Sequence, residues 1–281
     1  MKKIIKYLFL LTGGSFILAS CNDFLDREPL DSVTPDNFFF TENDLAAYAV
    51  KHYNFTTHEG FNAGIWKNDN ATDNQAATDY DKKWIPGQWK VPEAYDNPAS
   101  NDPWYFSTIR EANYFLETVV PRFEKGEIEG SETNIKHYIG EMYFLRAKNY
   151  LSKLETFGDF PIIKNTLPDE SESLIQASKR APRYKVAHFI LEDLDQAISL
   201  LTNNISGGKN RITKNAALLL KSRAALYEAS WLTYHKGTAL VPGGPGWPGK
   251  AEDIADFNID TEIAFFLKEA KAAAKEVIGN A

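Results

Sequence analysis

The stretch from Ile65 to Tyr105 gathers side chains whose chemistry suits a sugar. Trp66, Trp84, Trp89 and Trp104 supply flat apolar faces, Tyr95 adds a ring with a hydroxyl, and Asp69, Asp73, Asp79, Asp81 and Asn101 lie among them. An oligosaccharide in water offers C–H surfaces that stack on aromatic faces, and hydroxyls whose lost water must be replaced by carboxylates or amides. The segment therefore predicts a glycan-binding surface with Trp66, Asp79, Asp81, Trp84, Trp89, Tyr95 and Asn101 as its contacts. Two other readings compete. The tryptophans would equally pin a long loop onto neighbouring helices, and Trp104, at an expected helix start, is assigned to the core. The aspartates would suit calcium, which takes clustered oxygens, but no twelve-position loop with a glycine at its turn accompanies them.

Other motifs carry less. Gly244-Pro245-Gly246-Trp247-Pro248-Gly249-Lys250 has the glycine spacing of a phosphate-binding loop. Its prolines remove the backbone donors that would cradle phosphate, and Ala251 stands where a magnesium-binding hydroxyl is required. A rigid surface loop is expected instead, with Trp247 at its tip. His52, His58, His137, His188 and His235 show no paired metal spacing, so neither a metal nor a cofactor is expected. No nucleophile elbow is present. Paired acids for glycoside hydrolysis leave no mark in a sequence, because their separation belongs to the fold. Arg146 and Asp159, at a helix end and just past its glycine stop, are read as structural ties.

Cys21 is the single cysteine, and it closes the run Leu18-Ala19-Ser20-Cys21. Lys2, Lys3 and Lys6 precede an apolar stretch from Tyr7 to Leu18, shorter than the ~20 residues needed to span a bilayer. This is the pattern of a secretion signal over residues 1–20. Small residues before a lone cysteine resemble a bacterial lipobox, in which the thiol is lipidated and becomes the first residue. No disulfide can form within the chain, so the core alone must stabilise the fold. The net charge of −7 becomes more negative once the leader lysines are removed, which argues against nucleic acid as a partner.

These side chains need a scaffold, and the periodicities describe a helical one. Residues 22–40 read as an extended tether with Pro29 and Pro35. Thr41, with Asp44 three residues on, predicts an N-cap for a helix carrying Leu45, Tyr48 and Ala49. Residues 54–102 show no period of 2 or 3.6; a loop of that length is usually functional or disordered, and its aromatic content argues against disorder. Asp102-Pro103 reads as the start of a helix carrying Ile109, Ala112, Asn113 and Leu116. Further helices are expected over 134–157, stopped by Gly158 and Pro161, over 183–201, from Thr213 through Ala229, and over 260–278. Long helices with short connectors and small residues on their stripes (Ala147, Ala197, Ala225) pack as antiparallel pairs. The expected class is all-α, with tetratricopeptide-like helical pairs and long irregular loops; an irregular bundle is the alternative.

Five segments in order resemble a known family. Cys21-Asn22-Asp23-Phe24-Leu25-Asp26, Trp104-Tyr105 through Ile109-Arg110-Glu111-Ala112-Asn113, Arg146-Ala147 leading to Phe157-Gly158-Asp159-Phe160-Pro161, Arg223-Ala224-Ala225-Leu226-Tyr227-Glu228 and the Ala270 to Ile278 helix are together similar to the SusD/RagB lipoproteins of Bacteroidetes. The resemblance implies a lipid-anchored, cell-surface outer-membrane protein that binds glycans or peptides without catalysis. It also implies a partner, a SusC-like TonB-dependent barrel transporter over which the protein forms a lid. Members run to roughly twice this length, so residues 41–281 are read as an incomplete, N-terminal helical domain. Two rivals stand beside this reading: a secreted glycoside hydrolase on a helical scaffold, and a helical-repeat adaptor between proteins.

Overall fold

The structure, a computed structural model, describes residues 38–53, 55, 104–205 and 210–280. Cys21, the leader and most of the tether lie outside the described residues. Seven α-helices are present among the described residues: α1 (Glu42–Lys51), α2 (Ser107–Glu124), α3 (Glu132–Phe157), α4 (Ser171–Ala177), α5 (Arg183–Leu200), α6 (Lys214–Tyr234) and α7 (Ile259–Asn280). A 3-10 turn covers Ala251–Ile254, two isolated β-bridges occur, and no strand forms among these residues. The class is all-α, as the sequence predicts.

Local signals explain most boundaries. Thr41 and Asp44 form a reciprocal capping box at the start of α1: the Thr41 hydroxyl accepts the Asp44 N–H at 3.3 Å, and the Asp44 carboxylate accepts the Thr41 N–H at 3.0 Å. Gly158 ends α3 with φ of 71°, a left-handed conformation that glycine adopts without a Cβ penalty. Thr213 caps α6 by accepting the Ala216 N–H at 3.2 Å. Two expectations need correction. α2 begins at Ser107, past the Asp102-Pro103 signal, and its N-cap Phe106 offers no side-chain bond. Trp104 is half-buried in the preceding turn rather than in the core, with its ring 4.4 Å from that of Phe157. α4 went unpredicted because none of its residues is buried, so it has no apolar stripe to read. Phe39, near the end of the predicted tether, is fully buried between the rings of Tyr48 and Phe115.

Each long helix packs antiparallel on the next, and side-chain contacts fix the direction. Asn113 of α2 meets Arg146 of α3, while Trp104 meets Phe157. Gly140 near the start of α3 lies against Ala197 and Leu200 at the end of α5; a Cβ there would come within 3.3 Å of the Ala197 carbonyl oxygen, so the backbones approach as only glycine permits. At the opposite end Gly158 lies beside Arg183. Arg183 of α5 reaches Glu228 of α6, and Lys214 and Lys221 of α6 reach Glu276 and Glu269 of α7. Ala147, Ala197 and Ala225 are fully buried on these interfaces, as their places on the stripes predict. α1 docks on α3 and reaches α2 and the α5–α6 connector: Glu42 accepts the Ser131 N–H at 2.7 Å, Tyr48 donates to the Glu111 carbonyl at 3.1 Å, and Arg211 approaches the Ala46 carbonyl at 3.4 Å.

Charged pairs are buried at three of these contacts. Arg146 donates to both carboxylate oxygens of Asp193 at 2.7 Å, and its Nη1 donates to Asn113 Oδ1 at 2.9 Å, joining α2, α3 and α5. Arg183 forks onto Glu228, and Arg211 onto Glu141. Burial pushes the Asp193 and Glu228 carboxyls up, and the guanidinium facing each opposes that shift. His137, fully buried beside Glu141, accepts the Thr202 N–H through Nδ1 at 3.2 Å. Its Nε2 lies 3.2 Å from Glu141 Oε1 but is not aligned for a hydrogen bond.

Asp159 ties α3 to α5. The N-cap of α5 is Pro182, whose side chain cannot cap, and Asp159 takes that role from across the turn by accepting the Arg183 N–H at 2.8 Å. Phe160 and Ala181 exchange backbone hydrogen bonds of 3.1 Å beside it. The second Asp159 oxygen accepts the Trp247 indole N–H at 2.9 Å.

Two stability outcomes follow. Arg146→Gln leaves the Asp193 charge buried without its partner and should cost about 3–5 kcal/mol in urea unfolding, whereas Arg146→Met combined with Asp193→Leu should cost less than either single change. Asp159→Ala removes acceptors from a helix start and an indole, worth about 1–3 kcal/mol. Calorimetry should show the melting temperature falling by about 2–4 °C for each kcal/mol, and an unchanged value would reject the capping role.

Candidate functional site

The connector between α3 and α4 is laced to the helices beneath it. Tyr150 donates to the Ile163 carbonyl at 3.2 Å and accepts the Ile163 N–H at 2.8 Å; burial holds this phenol up at about 12, so it stays protonated and keeps both bonds. Asn113, fully buried, donates to the carbonyls of Ile163 at 2.8 Å and Asn165 at 3.2 Å. Arg146 reaches the Lys164 carbonyl at 3.3 Å, and Glu117 accepts the Thr166 N–H at 2.8 Å. The connector is therefore part of a rigid rim.

That rim encloses a cavity of about 330 Å³, the α2 pocket. Trp104, Phe106 and Ile109 line one side, Pro161, Ile163, Leu167 and Leu174 the other, with Arg110, Asn113, Asn165 and Ser178 among them. Rings are layered behind it: Phe106 stacks on Phe160 at 5.1 Å, and Phe160 also faces Trp104 and Phe157 at 5.4 and 5.5 Å. A second hollow of about 300 Å³, the loop pocket, opens on the far side of Phe157. Trp231, Trp247, Pro248 and Leu240 line it together with Glu155, Thr156, Asp159, Arg180 and Arg183. The pockets share a wall, because Phe157 lies 4.4 Å from Trp104 and the Arg180 guanidinium sits 4.7 Å above the Trp104 ring. Apolar ring surface with amide, hydroxyl and guanidinium groups at its edge is the mixture that a saccharide needs.

The residues predicted as contacts, Trp66, Asp79, Asp81, Trp84, Trp89, Tyr95 and Asn101, lie outside the described residues, as do Asp69 and Asp73. Trp104, the last tryptophan of that segment, is where it joins the described pocket. Trp247 is half-buried and bonded to Asp159 rather than standing at a loop tip. Arg180 and Trp231 belong to no motif that the sequence singles out, whereas Phe106 and Arg110 fall in the Trp104 to Asn113 segment that carries the family resemblance. The motif Phe157-Gly158-Asp159-Phe160-Pro161 carried a usable signal, since two aromatics beside a helix stop must pack somewhere. Among the described residues no group of three or more His, Cys, Asp or Glu side chains could hold a metal ion. No helix there is long and apolar enough to cross a membrane.

Comparison with known proteins gives the architecture a family. SusD-like protein P2 of Formosa agariphila is 26% identical over 258 residues, covering 89% of this chain and 45% of its own. SusD-like protein P38 of the same organism is 26% identical over 228 residues, covering 79% and 42%. The chain thus spans less than half the length of these curated relatives. A crystal structure of a SusD-like protein from Bacteroides fragilis is 31% identical, covering 48% of this chain and 25% of that one with a TM-score of 0.40. The family model SusD-like_3, described as "Starch-binding associating with outer membrane", matches residues 23–226. A match over well over half of the chain, extending from before α1 into α6, makes this protein a member of the SusD-like family.

Proposed function

We propose that this protein captures an oligosaccharide at the cell surface, held to the outer membrane by a lipid on Cys21, and passes it uncut to a TonB-dependent transporter. The observation that carries the sugar-binding step is the shared aromatic wall of Trp104, Phe157 and Phe160 between two hollows edged with polar groups. Aromatic faces bind the C–H side of a pyranose, while Asn165, Ser178 and Thr156 are placed to replace water at its hydroxyls. Family membership supports the same reading, since its model is described as starch-binding and associated with the outer membrane. Trp66, Asp79, Asp81, Trp84, Trp89, Tyr95 and Asn101, which precede Trp104 in the sequence, are proposed as further contacts. Peptide remains the other ligand class that the family resemblance implies.

Calorimetric titration of the purified chain with soluble starch, xyloglucan and laminarin should show saturable binding to at least one of them with no new reducing ends. Trp104→Ala should weaken that binding about tenfold, the order of one aromatic contact. Release of reducing sugar would replace capture with hydrolysis. Mass spectrometry of the natural protein should find Cys21 acylated at the N-terminus, and a bare thiol behind an intact leader would overturn the anchor.

A further inference from the structure

Resting on that reading, we propose that the captured saccharide is anionic, carrying a uronate carboxylate or a sulfate ester, and that Arg110 in the α2 pocket and Arg180 over the shared Trp104 ring receive its charge. Among the described residues that line this pocket none is Asp or Glu, although the whole chain carries a net charge of −7. The loop pocket beside it, by contrast, contains Glu155 and Asp159. Among the described residues, carboxylates thus line one side of the shared wall and not the other, and Arg180 reaches the Trp104 ring from the side that holds them.

The arginines divide by partner. Arg146, Arg183 and Arg211 each fork onto a carboxylate at a helix contact. Arg110 and Arg180 are exposed, and neither has a carboxylate partner among the described residues. Arg110 stands in the first turn of α2 and lines the pocket directly. That first turn holds no acidic residue and has no side-chain cap, so the positive end of the helix adds to the guanidinium beside the same hollow. Arg180 lies with its guanidinium 4.7 Å above Trp104, which lines the pocket. Stacking orders the guanidinium through its face and leaves its N–H edge to fork onto a carboxylate or sulfate. Two exposed guanidinium groups beside aromatic surface, neither paired with a carboxylate among the described residues, match a sugar ring that bears a charge better than a neutral one.

The test uses the whole chain and matched polymers: polygalacturonate against its carboxyl-reduced form, and a sulfated galactan against its desulfated form. One charged member should bind at least about tenfold more tightly than its neutral counterpart, and raising salt from about 50 to about 500 mM should erode that margin. Arg110→Gln and Arg180→Gln should each remove about tenfold from the charged ligand and leave the neutral one unchanged. Both side chains are exposed, so the melting temperature should hold. The pair that shows the margin identifies the charged group. Equal binding of charged and neutral polymers, or a margin indifferent to both substitutions, overturns the anionic assignment while sugar capture stands. Absence of binding to every polymer here and to the neutral glucans overturns both.

Discussion

The fold depends on a guanidinium held inside it. Arg146 closes both carboxylate oxygens of Asp193, takes the Asn113 amide and touches the Lys164 carbonyl, so one side chain addresses α2, α3, α5 and the connector over the pocket. A charge in that position is tolerated because Asp193, Asn113 and Lys164 all accept its N–H groups. The arrangement imposes geometry as much as it adds stability: apolar stripes would permit α3 and α5 to slide along one another, whereas a bidentate fork has one register. Arg183 with Glu228 repeats the device one interface further on.

The candidate site inherits that rigidity. The Phe160 to Thr166 connector is bonded to Tyr150, Asn113, Arg146 and Glu117, and the same connector forms the wall that faces Trp104 and Phe106. Polar groups that would otherwise have to be desolvated by a ligand are already satisfied from beneath. The surface left to the ligand is ring faces and a few edge donors. A preformed hollow of this kind loses little conformational entropy when a ligand enters it.

Much of the frame was legible in the residues themselves. Thr41 with Asp44, Gly158 before Pro161, and Thr213 mark helix ends through local chemistry, and each does so in the structure. The start of α2 was misplaced because Asp102-Pro103 is a strong local signal, while Trp104 and Phe106 answer to rings far along the chain in Phe157 and Phe160. α4 was invisible for a related reason: a helix with no buried face has no periodicity. The same division governs the site. Aromatic and acidic enrichment between Ile65 and Tyr105 can be read from composition, but the wall that joins two hollows is assembled from Trp104, Phe157 and Arg180, which no spacing connects. The pairing of Arg146 with Asp193 and of Arg183 with Glu228 was equally out of reach, since helix faces predict burial but not partners.

The docking of α1 has a consequence for how such a protein can change over generations. Glu42 with Ser131, Tyr48 with Glu111, and Arg211 with Ala46 clamp α1 from the far side of the 54–103 segment, so that segment leaves and rejoins a frame already fastened at both of its ends. The entropy of closing a loop grows only logarithmically, about 0.6 kcal/mol for each doubling of its length. The three contacts named here seat α1 without drawing on any residue of that segment. A lineage could therefore rewrite the sequence between α1 and α2 and still keep the contacts that seat α1.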